Sequence, residues 1–432
     1  MNEQQTPQVP VTSALFDELS WRGLISQTTG DDDLRAAFEA GPLTFYCGFD
    51  PTAPSLHMGN LVQLITARRI QNYGHFPLGL VGGSTGLIGD PRMSGERVLN
   101  SSEQVAVWVD RIRSQVERYL DFECANAARI VNNLDWTAPM SAIDFLRDVG
   151  KHFRMGRMLA KDTVATRLRS DEGLSFTEFS YQILQGMDFL ELNRRYGCTL
   201  QTGGSDQWGN LTSGTELIHK VNGADVHALA TPLITKADGT KFGKTEGGAI
   251  WLDPDMTSPY DFYQFWINSD DRDVDRFLKV FTFRSREEIA TLAESTAAQP
   301  QARQAHRVLA QDVTTLVHGE DTTAQVIAAS TALFGRGDIN EIDEPTLAAA
   351  LSAVGVLELD GDLPNIVALL QRSGLVTSNS EARRTIAEGG ANINNVRVTD
   401  PDHVPVMTDL LHSSWLVLRR GKKSVVGIKV KY

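Results

Sequence analysis

Two short stretches of the chain have residue types and spacings suited to binding phosphate groups. In the first, Tyr46 to Asn60, His57 and Gly59 stand where a helix is predicted to begin. Backbone N–H groups and the helix dipole favour phosphate there, and a glycine lets a nucleotide approach the backbone closely. In the second, Lys241 and Lys244 lie three residues apart on a glycine-containing loop, so both can reach neighbouring phosphate oxygens. Either stretch alone could be a structural turn, but together they predict a triphosphate site.

A third set of polar residues shares one face of a predicted helix. Tyr181, Gln185 and Asp188 are separated by four and three residues, which places them above one another on a helix. Polar groups on such a face are ordinarily solvated surface residues. The spacing alone therefore leaves open whether this face is turned outward or lines a pocket.

The elements that must position these residues follow the order strand, loop, helix. An apolar run at 43–49 ends in Asp50-Pro51-Thr52, and a helical pattern follows from Gly59. A second apolar run, at 76–81, breaks in a glycine-rich loop at 82–91. This order predicts an α/β fold with a doubly wound, Rossmann-like parallel sheet, in which ligands bind where strands end and helices begin.

The chain is too long for one core, so several domains are predicted. They are a catalytic domain at 1–250 with a helical insertion at about 101–185, an all-helical domain at 251–334, a linker at 335–361 and an α+β domain at 362–432. The apolar faces of the insertion, including the helical stretch at 143–149, could pack internally or pair subunits.

The last predicted domain begins with a short helix and ends with a hairpin. Ser378 and Glu381 have the spacing of a helix N-terminal capping box, and the helix is predicted to stop at Gly389-Gly390. Apolar strands at 415–418 and 425–430 then flank a positively charged turn. This pattern leaves two interpretations open, an RNA-binding module or a solvated basic tail on a structural domain.

Composition excludes several classes of protein. Hydrophobic residues make up 41% and charged residues 22%, which is typical of globular proteins, and no apolar run approaches the roughly 20 residues of a membrane span. A formal charge of −13 argues against coating nucleic acid with the whole surface. A local RNA contact is expected at 362–432, where ten lysines and arginines face six acids.

Compartment and metal content are also predicted from the sequence. The start, Met1 to Val11, carries no basic flank followed by an apolar stretch, so a cytoplasmic protein is expected. The three cysteines, Cys47, Cys124 and Cys198, are odd in number and far apart. They fit neither a disulfide framework nor a zinc site, and no protein-bound metal is predicted.

The stretch from Tyr46 to Asn60 resembles the His-Ile-Gly-His signature of class I aminoacyl-tRNA synthetases, in the form found in the bacterial tyrosyl-tRNA synthetase family. Residues 236–245 are similar to the Lys-Met-Ser-Lys-Ser loop of that class, and 203–210 to the loop that binds the ATP ribose. Residues 82–91 resemble the loop beneath the amino acid. The resemblance extends to about Asp253, and more loosely to the C-terminus, whose last domain resembles S4-type RNA-binding modules.

The resemblance implies a role for each matching residue. The residues implied in tyrosine binding are Tyr46 and Asp188 at the phenolic hydroxyl, Asp90, Tyr181 and Gln185 at the ammonium group, and Gln207 near the carboxyl group. Those implied in ATP binding are Cys47, Gly48, Asp50, Gly59, Asn60, Gly204, Asp206, Lys241 and Lys244. The catalytic set is His57 and Thr52 at the transferring phosphate, with Lys241, Lys244 and Thr245 at the departing pyrophosphate. The tRNA-binding set is Arg383, Arg384, Arg419, Arg420, Lys422 and Lys423.

The implied reaction joins tyrosine to its tRNA through a tyrosyl-adenylate, with ATP as a substrate accompanied by Mg²⁺, in a homodimer. A buried carboxylate satisfied by a phenolic O–H would be left unpaired by phenylalanine, and such selection is strong because an unpaired buried polar group is costly. Two other interpretations are a related class I enzyme, such as a tryptophan-specific synthetase or a nucleotidyltransferase, and a synthetase-derived RNA-binding protein without catalysis.

The chain departs from the family pattern at three places. Asn60 stands where the first signature often has a second histidine. The loop after Asp90 lacks the usual lysine, which leaves Arg92 and Arg97 as candidates for the pyrophosphate contact. Asn394-Asn395 replaces the Asn-Gly turn common in S4 modules, so the register of that hairpin is left open.

Overall fold

The computed structural model describes residues 14–92, 95, 97–171, 173–240, 242–245, 248–334, 337–421 and 424–431. Two compact units are present. The first comprises 1–252 with 275–290, and the second comprises 253–274 with 291–432. None of the helices in these described ranges has the length and hydrophobicity needed to cross a membrane.

A six-stranded sheet forms the centre of the first unit, as far as the described residues show. The strands of this unit are β1 (Gln27–Thr28), β2 (Thr44–Phe49), β3 (Phe76–Val81), β4 (Arg129–Asn132), β5 (Cys198–Gly204), β6 (His227–Thr231), β7 (Lys244–Thr245) and β8 (Gly248–Ala249). The sheet order is β1-β6-β5-β2-β3-β4. Strands β6, β5, β2, β3 and β4 are parallel, and β1 adds to the edge in the antiparallel direction. The predicted parallel α/β fold is confirmed.

Helices cover the sheet. They are α1 (Leu15–Trp21), α2 (Asp31–Ala40), α3 (Met58–Asn72), α4 (Thr85–Ile88), α5 (Ser102–Val116), α6 (Leu134–Thr137), α7 (Ala142–Asp144), α8 (Met155–Leu159), α9 (Asp162–Leu168), α10 (Phe176–Tyr196) and α11 (Trp208–Asn222). A π-helical turn, Phe145–Val149, continues α7. The predicted insertion at 101–185 is mostly helical, but it also supplies β4, an edge strand of the main sheet.

The longest of these helices, α10, is defined by capping residues at both ends. The Ser175 hydroxyl accepts a hydrogen bond from the backbone N–H of Glu178, and Gly197 ends the helix at a φ of 63°. A left-handed residue at this position favours glycine, because other residues are strained there. Strand β5 follows at once, so the helix is held against the centre of the sheet.

The second unit contains a helical group and an α+β group. Its helices are α12 (Pro259–Ile267), α15 (Gln304–His318), α16 (Glu320–Ala332), α17 (Glu344–Val354), α18 (Ile366–Arg372) and α19 (Asn379–Ala387). Two further helices, α13 (Val274–Phe281) and α14 (Arg286–Ala298), are each divided in sequence between the two units. The strands are β9 (Val356–Asp360), β10 (Ala391–Ile393), β11 (Val396–Arg397), β12 (Trp415–Arg420) and β13 (Ser424–Lys431).

These strands form a sheet in the order β11-β10-β12-β13-β9. Neighbours are antiparallel, except that β9 runs parallel to β13. Strand β9 and helix α17 both fall inside the stretch predicted as a linker, 335–361, where Leu347 and Leu351 of α17 are buried. This stretch is therefore folded over much of its length, and β9 is an edge strand of the C-terminal sheet.

The hairpin between β10 and β11 has a defined register in spite of its unusual turn. Asn394 and Asn395 have φ angles of 47° and 65°, and Ile393 pairs directly with Val396. A two-residue turn with both φ angles positive suits right-twisted strands, and asparagine enters this region more readily than most residues. The Asn394 side chain also accepts from the Val417 N–H and donates to the Asp409 carbonyl.

The helix and strands predicted near the C-terminus are present. The Ser378 hydroxyl caps α19 by accepting from the Glu381 N–H, and Gly389, with a φ of 74°, follows the helix. The Glu381 carboxylate does not close a reciprocal capping box on Ser378; it accepts from the backbone and hydroxyl of Thr377 instead. Strands β12 and β13 form the expected hairpin.

Candidate active site

The site lies where the central parallel strands end and three helices begin. Strand β2 leads through Asp50 to the N-terminus of α3, β3 leads to Thr85 in α4, and β5 leads to Asp206 in a 3₁₀ turn before α11. The carboxyl ends of neighbouring parallel strands share one edge of the sheet, which is where ligands bind in such folds. The loops predicted from the sequence to carry chemistry therefore share one edge of the sheet.

The first phosphate-binding stretch is organised by reciprocal hydrogen bonds at the start of α3. His57 Nδ1 accepts from the Gly59 N–H at 3.1 Å, and Asn60 Oδ1 accepts from the His57 N–H at 3.1 Å. The asparagine that departs from the family signature thus closes the helix cap. A Cβ atom on residue 59 would lie 2.9 Å from His57 Cε1, so glycine also leaves room for the imidazole. Thr52 is exposed in the loop just before this cap.

The segment that follows the second stretch is joined to the first stretch by backbone hydrogen bonds, and the Ile250 N–H also donates to the Gly243 carbonyl at 3.0 Å. The Met58 N–H donates to the Ile250 carbonyl at 3.1 Å, and the Leu252 N–H donates to the Leu56 carbonyl at 2.9 Å. Gly243 has a φ of 75°, and a Cβ atom there would lie 2.7 Å from Met58 Cβ. The two stretches, about 180 residues apart in sequence, are therefore neighbours in space.

An aromatic cluster fixes the second stretch on its other side. Phe242 is buried, with its ring centroid 4.8 Å from that of Phe277 and 5.2 Å from that of Phe281 in α13. The predicted pyrophosphate ligand Lys241 lies outside the described residues. Lys244 and Thr245 form β7, for which only the backbone is described. Phe242 and Gly243 therefore position the backbone between the two lysines.

The polar face of α10 is turned inward, which decides between the two interpretations that its spacing left open. Tyr181 and Asp188 are buried, and Gln185 lies half-buried between them. The Gln185 side-chain oxygen has no hydrogen-bond partner within the described chain. One helix thus presents a phenol, an amide and a carboxylate to the interior of the first unit.

Asp188 is held by two donors that the sequence analysis did not identify. Trp136 Nε1 donates to its Oδ1 at 2.8 Å, and Asn133 Nδ2 donates to its Oδ2 at 2.9 Å. Burial raises the pKa of Asp188 to about 7, against the lowering effect of these two hydrogen bonds. Both donors follow β4, so the rule that ligand-binding groups stand at strand ends could have found them had β4 been recognised.

Tyr46 stands beside Asp188 with an unsatisfied hydroxyl. Its ring packs against Phe189 at a centroid distance of 5.3 Å, and its buried oxygen has no hydrogen-bond partner among the described residues. The pKa of Tyr46 is raised by burial and then by the charge of Asp188. Gln201, paired with Tyr46 across the sheet, has a buried side-chain oxygen that also lacks a described partner. Buried polar groups are almost always hydrogen-bonded, so these atoms mark a place for a polar ligand.

Asp50, predicted to bind ATP, makes its described contacts on the amino-acid side. Its Oδ2 accepts from the Tyr181 hydroxyl at 2.6 Å, and its Oδ1 accepts from the Thr85 hydroxyl at 2.6 Å. Asn133 Nδ2 also donates to Thr85 Oγ1, at 2.9 Å, which connects Asp50 to the donors of Asp188. Because the Tyr181 hydroxyl donates its one hydrogen to Asp50, its oxygen lone pairs remain available to accept from an ammonium group.

Asp90 is the centre of a second polar cluster. Gln207 Nε2 and Asn210 Nδ2 donate to its two carboxylate oxygens at 2.9 and 3.2 Å. Lys161 Nζ donates to Asn210 Oδ1 at 2.7 Å, and this fixes the amide so that its nitrogen faces Asp90. Burial lowers the pKa of Lys161 to about 8 and raises that of Asp90. Lys161 and Asn210 were missed because nothing in their local spacing relates them to Asp90.

Arg97 and Arg92 lie beside this cluster, close enough for their charges to interact. Arg97 Nε donates to the backbone carbonyl of Asp90 at 2.7 Å. Burial lowers the pKa of the Arg97 guanidinium, and the charge of Arg92 lowers it further. An anion between the two guanidinium groups would relieve this repulsion, as expected of a pyrophosphate contact.

The remaining predicted nucleotide ligands lie at the ends of β2 and β5. Asp206 is exposed, and a Cβ atom on Gly204 would lie 2.5 Å from its Oδ1, so glycine lets this carboxylate fold back. Gly48 is exposed, whereas Cys47 is buried and burial raises the pKa of its thiol to about 12. In the described ranges, no group of three or more histidine, cysteine or acidic side chains could hold a metal ion.

The basic residues of the C-terminal module differ in their exposure. Arg384 is exposed on α19, and Arg383 lies 3.9 Å from Asp402. Arg420 instead donates to the Leu375 carbonyl at 2.7 Å and to the Glu381 carboxylate at 2.8 Å, so it ties β12 to α19. Arg419 Nη1 donates to the carbonyl of residue 421. Lys422 and Lys423 lie outside the described residues.

Comparison with known proteins identifies the family. Residues 39–335 match the family described as tRNA synthetases class I (W and Y), and 346–427 match the tyrosine–tRNA ligase SYY-like C-terminal domain. The tyrosine–tRNA ligase of Streptomyces avermitilis is 65% identical over 417 residues, which span 96% of this chain and 99% of that protein. The chain belongs to the tyrosine–tRNA ligase family.

Other members and solved structures agree with this placement. The tyrosine–tRNA ligase of Mycobacterium tuberculosis is 56% identical, over 97% of this chain and 99% of its own length. The structure of a C-terminally truncated mitochondrial tyrosyl-tRNA synthetase from Coccidioides posadasii covers 72% of this chain and 90% of its own, with 34% identity and a TM-score of 0.64.

A tryptophanyl-tRNA synthetase from Encephalitozoon cuniculi bound to tryptophan has a TM-score of 0.53 at 12% identity, covering 74% of this chain and 91% of its own. That likeness concerns the fold alone. The resemblance to the tyrosine–tRNA ligase family predicted from the signature stretches is thus confirmed, whereas the S4-type identity of the C-terminal module stays a prediction.

Proposed function

We propose that this protein activates L-tyrosine with ATP and transfers it to the 3′-terminal adenosine of tRNA(Tyr). The observation that carries the choice of amino acid is the buried carboxylate of Asp188 beside the Tyr46 hydroxyl, which has no hydrogen-bond partner among the described residues. A phenolic O–H supplies the donor that Asp188 can take and an oxygen that Tyr46 can reach. Indole has no group with both properties, so the site favours tyrosine over tryptophan.

The other end of tyrosine is proposed to lie between the two polar clusters. Its ammonium group would donate to Asp90, to the free lone pairs of Tyr181 and to the Gln185 oxygen, which has no partner in the described chain. Gln207, already aligned on Asp90, would lie near the carboxylate. These contacts orient the substrate carboxylate toward the nucleotide.

The proposed first step is attack by a carboxylate oxygen of tyrosine on the α-phosphorus of ATP. A new O–P bond forms, the bond between the α-phosphorus and the bridging oxygen breaks, and pyrophosphate leaves with that oxygen's electron pair. His57 and Thr52 would face the transferring phosphate, while Lys241, Lys244 and Thr245 would hold the pyrophosphate. Positioning and charge stabilisation are sufficient here, so no covalent enzyme intermediate is required.

In the second step, a hydroxyl oxygen of the terminal ribose of tRNA attacks the tyrosyl carbonyl carbon and forms the ester bond. The bond between that carbon and the phosphate oxygen breaks, AMP leaves with its electron pair, and the hydroxyl proton is released to solvent. Cys47, Gly48, Gly59, Asn60, Gly204 and Asp206 are proposed to surround the nucleotide. Asp50, which accepts from Thr85 and Tyr181, is proposed to face the nucleotide from the amino-acid side. The pairing of residues 56–58 with 250–252 supports this proposal, because it brings the two phosphate-binding stretches together. Mg²⁺ is proposed to arrive with ATP, since it commonly binds phosphate oxygens while keeping several waters.

We propose further that the basic C-terminal module contacts tRNA. Arg383 and Arg384 on α19, with Arg419, Lys422 and Lys423 near the following hairpin, would face phosphates, while Arg420 mainly holds the module together. Removing one phosphate contact should lower the slope of log affinity against log salt by about one. Arg384→Ala should show this change in tRNA binding, whereas an unchanged slope would exclude Arg384 as a contact.

A homodimer is proposed on the face formed by α7, α8 and the π-helical turn. Ile143, Leu146 and Met155 are exposed there, with Ile143 68% accessible, and exposed apolar groups at one face are typical of an interface. Sedimentation equilibrium should report a dimer that Leu146→Glu weakens. A monomeric wild-type chain would refute this proposal.

Action in the cytoplasm is also proposed, which agrees with three free cysteines.

The test of the proposed function is amino-acid-dependent exchange of pyrophosphate into ATP. Tyrosine, tryptophan and phenylalanine are compared at equal concentrations with the full chain. Tyrosine alone should support exchange, and Asp188→Ala should weaken it. Exchange with tryptophan in place of tyrosine, or an unchanged preference for tyrosine in Asp188→Ala, would overturn the assignment.

A further inference from the structure

A buried ion pair lies beneath the loop that follows Asp90. Arg167 in α9 and Glu178 in α10 form it, with Nη2 2.9 Å from Oε2 and both side chains 1% exposed. Neither residue belongs to the substrate contacts proposed above. An ion pair this deeply buried gives little net stability, because desolvation of both charges offsets their attraction.

The remaining donors of Arg167 point to backbone carbonyls rather than to solvent. Nη1 donates to the Gly95 carbonyl at 2.7 Å and to the Arg92 carbonyl at 3.1 Å, and Nε donates to the Gly173 carbonyl at 3.0 Å. The guanidinium therefore joins two loops to α10 through Glu178. Only arginine has a planar fork of donors that can do this, since lysine offers a single point charge.

The segments joined in this way carry both halves of the proposed site. Helix α10 carries Tyr181, Gln185 and Asp188, and the loop carries Asp90, Arg92 and Arg97. Within this loop, Arg97 also donates back to the Asp90 carbonyl. The points at which Arg167 holds the backbone, residues 92 and 95, lie at or close to the two arginines in sequence.

We infer that Arg167, neutralised by Glu178, is a positioning residue that aims the Arg92 and Arg97 guanidinium groups at the pyrophosphate leaving group. This inference rests on the proposed function. It assigns the ion pair to the phosphate side of the reaction and not to tyrosine binding, because the carbonyls it holds are those of residues 92 and 95. The Asp90 carboxylate in the same loop is held separately, by Gln207 and Asn210. Loss of the fork would leave loop carbonyls unsatisfied and the two guanidinium groups misplaced.

The test compares Michaelis constants in tyrosine-dependent exchange, measured on the full chain after wild-type exchange has been established. Absence of wild-type exchange would refute the proposed function and is thereby distinguished from failure of this inference. Arg167→Lys keeps the charge but loses the fork, and we expect it to raise the KM for pyrophosphate about tenfold or more. The KM for tyrosine should change less than twofold.

Two further variants separate positioning from general damage. In an Arg97→Ala background, Arg167→Lys should raise the KM for pyrophosphate less than threefold, because one of the groups it positions is gone. The matched control is Gln71→Met. The Gln71 side chain also holds a loop, since its Nε2 donates to the Asp121 carbonyl at 2.6 Å, and it lies at the C-terminal end of α3. That end is about 18 Å from Gly59 along the helix axis.

The control should lower the melting temperature without changing the KM for pyrophosphate. Where Arg167→Lys fails to fold, Glu178→Gln, which keeps the volume of the side chain, takes its place in the same comparison. Equal increases in the KM for pyrophosphate and for tyrosine, or an equal effect of the substitution with and without Arg97, would overturn the inference.

Discussion

The hydrogen bond from Trp136 to Asp188 should control the pH dependence of tyrosine activation. Trp136→Phe removes the Nε1 donor 2.8 Å from Asp188 Oδ1 and keeps an aromatic ring in a buried position. A donor to a carboxylate stabilises its charged form, so removing the donor raises the pKa. A hydrogen bond to a charged group contributes about 1.5–3 kcal/mol, and one pKa unit corresponds to about 1.4 kcal/mol, so a rise of about one to two units is expected.

From a starting pKa of about 7, this rise leaves about 1–10% of Asp188 ionised at pH 7 instead of about half. The value of kcat/KM for tyrosine at pH 7 should therefore fall roughly 5- to 50-fold and recover at higher pH.

The assay is pyrophosphate exchange between pH 6 and pH 9 for the wild type, Trp136→Phe and a control. Trp21→Phe makes the same substitution in α1, where the indole ring faces the side chains of Arg22, Lys279 and Arg286, and it should leave the profile unchanged. A Trp136→Phe profile that coincides with the wild type, or that moves to lower pH, would refute the assignment of Trp136 as a donor that sets the charge of Asp188.

Three other predictions follow from the same geometry. Asp188→Asn should make the free energy of unfolding less pH-dependent. The folded pKa of Asp188, about 7, lies above the ordinary 3.8, so the native carboxyl adds stability below about pH 4 that is lost as the pH rises through 7. The difference of about 4 kcal/mol should be measurable by urea titration at pH 4 and at pH 7. Gly243→Ala should slow exchange about tenfold with a normal KM for tyrosine, because the left-handed φ and the contact with Met58 together cost the alanine variant about 1–2 kcal/mol. A fully active variant would contradict this prediction. Lys161→Met should raise the KM for tyrosine about tenfold, because Asn210 is no longer held toward Asp90 and the loss corresponds to about one charge-assisted hydrogen bond. A change in the KM for ATP alone would exclude this role of Lys161.

Local signals in the sequence were sufficient for much of the fold. The glycine and histidine at the start of α3, the serine cap of α19 and the glycine after it are short-range features, and each marks a helix end within a residue or two. Alternation of apolar runs and glycine-rich loops was enough to predict the parallel sheet. The polar face of α10 was visible in its spacing, although its direction was not.

What the sequence did not reveal depends on long-range contacts. Asn133 and Trp136 lie 55 and 52 residues from Asp188, and no local pattern relates them to it. The pairing of residues 56–58 with 250–252 likewise joins distant segments. In the predicted linker, acidic and glycine residues near its start concealed the apolar pattern of α17 and the strand that follows it.

The turn between β10 and β11 is a third feature that the sequence left open. Asn394-Asn395 departs from the usual Asn-Gly pair and left the register of the hairpin open, yet both residues occupy the left-handed region. Side-chain hydrogen bonds from Asn394 to Asp409 and from Asn395 to the Ala332 carbonyl help to hold them there. Asparagine could therefore have been accepted at both turn positions from its known tolerance of positive φ.

The most direct test of the proposed tyrosine and phosphate sites is a crystal structure of the full chain with a non-hydrolysable analogue of tyrosyl-adenylate. We predict that the phenolic oxygen lies about 3 Å from a carboxylate oxygen of Asp188 and within hydrogen-bonding distance of the Tyr46 hydroxyl, with the phosphate mimic beside His57 and Gly59. A phenolic ring bound away from Asp188, or a phosphate mimic remote from the start of α3, would show that these residues do not form the tyrosine-activating site.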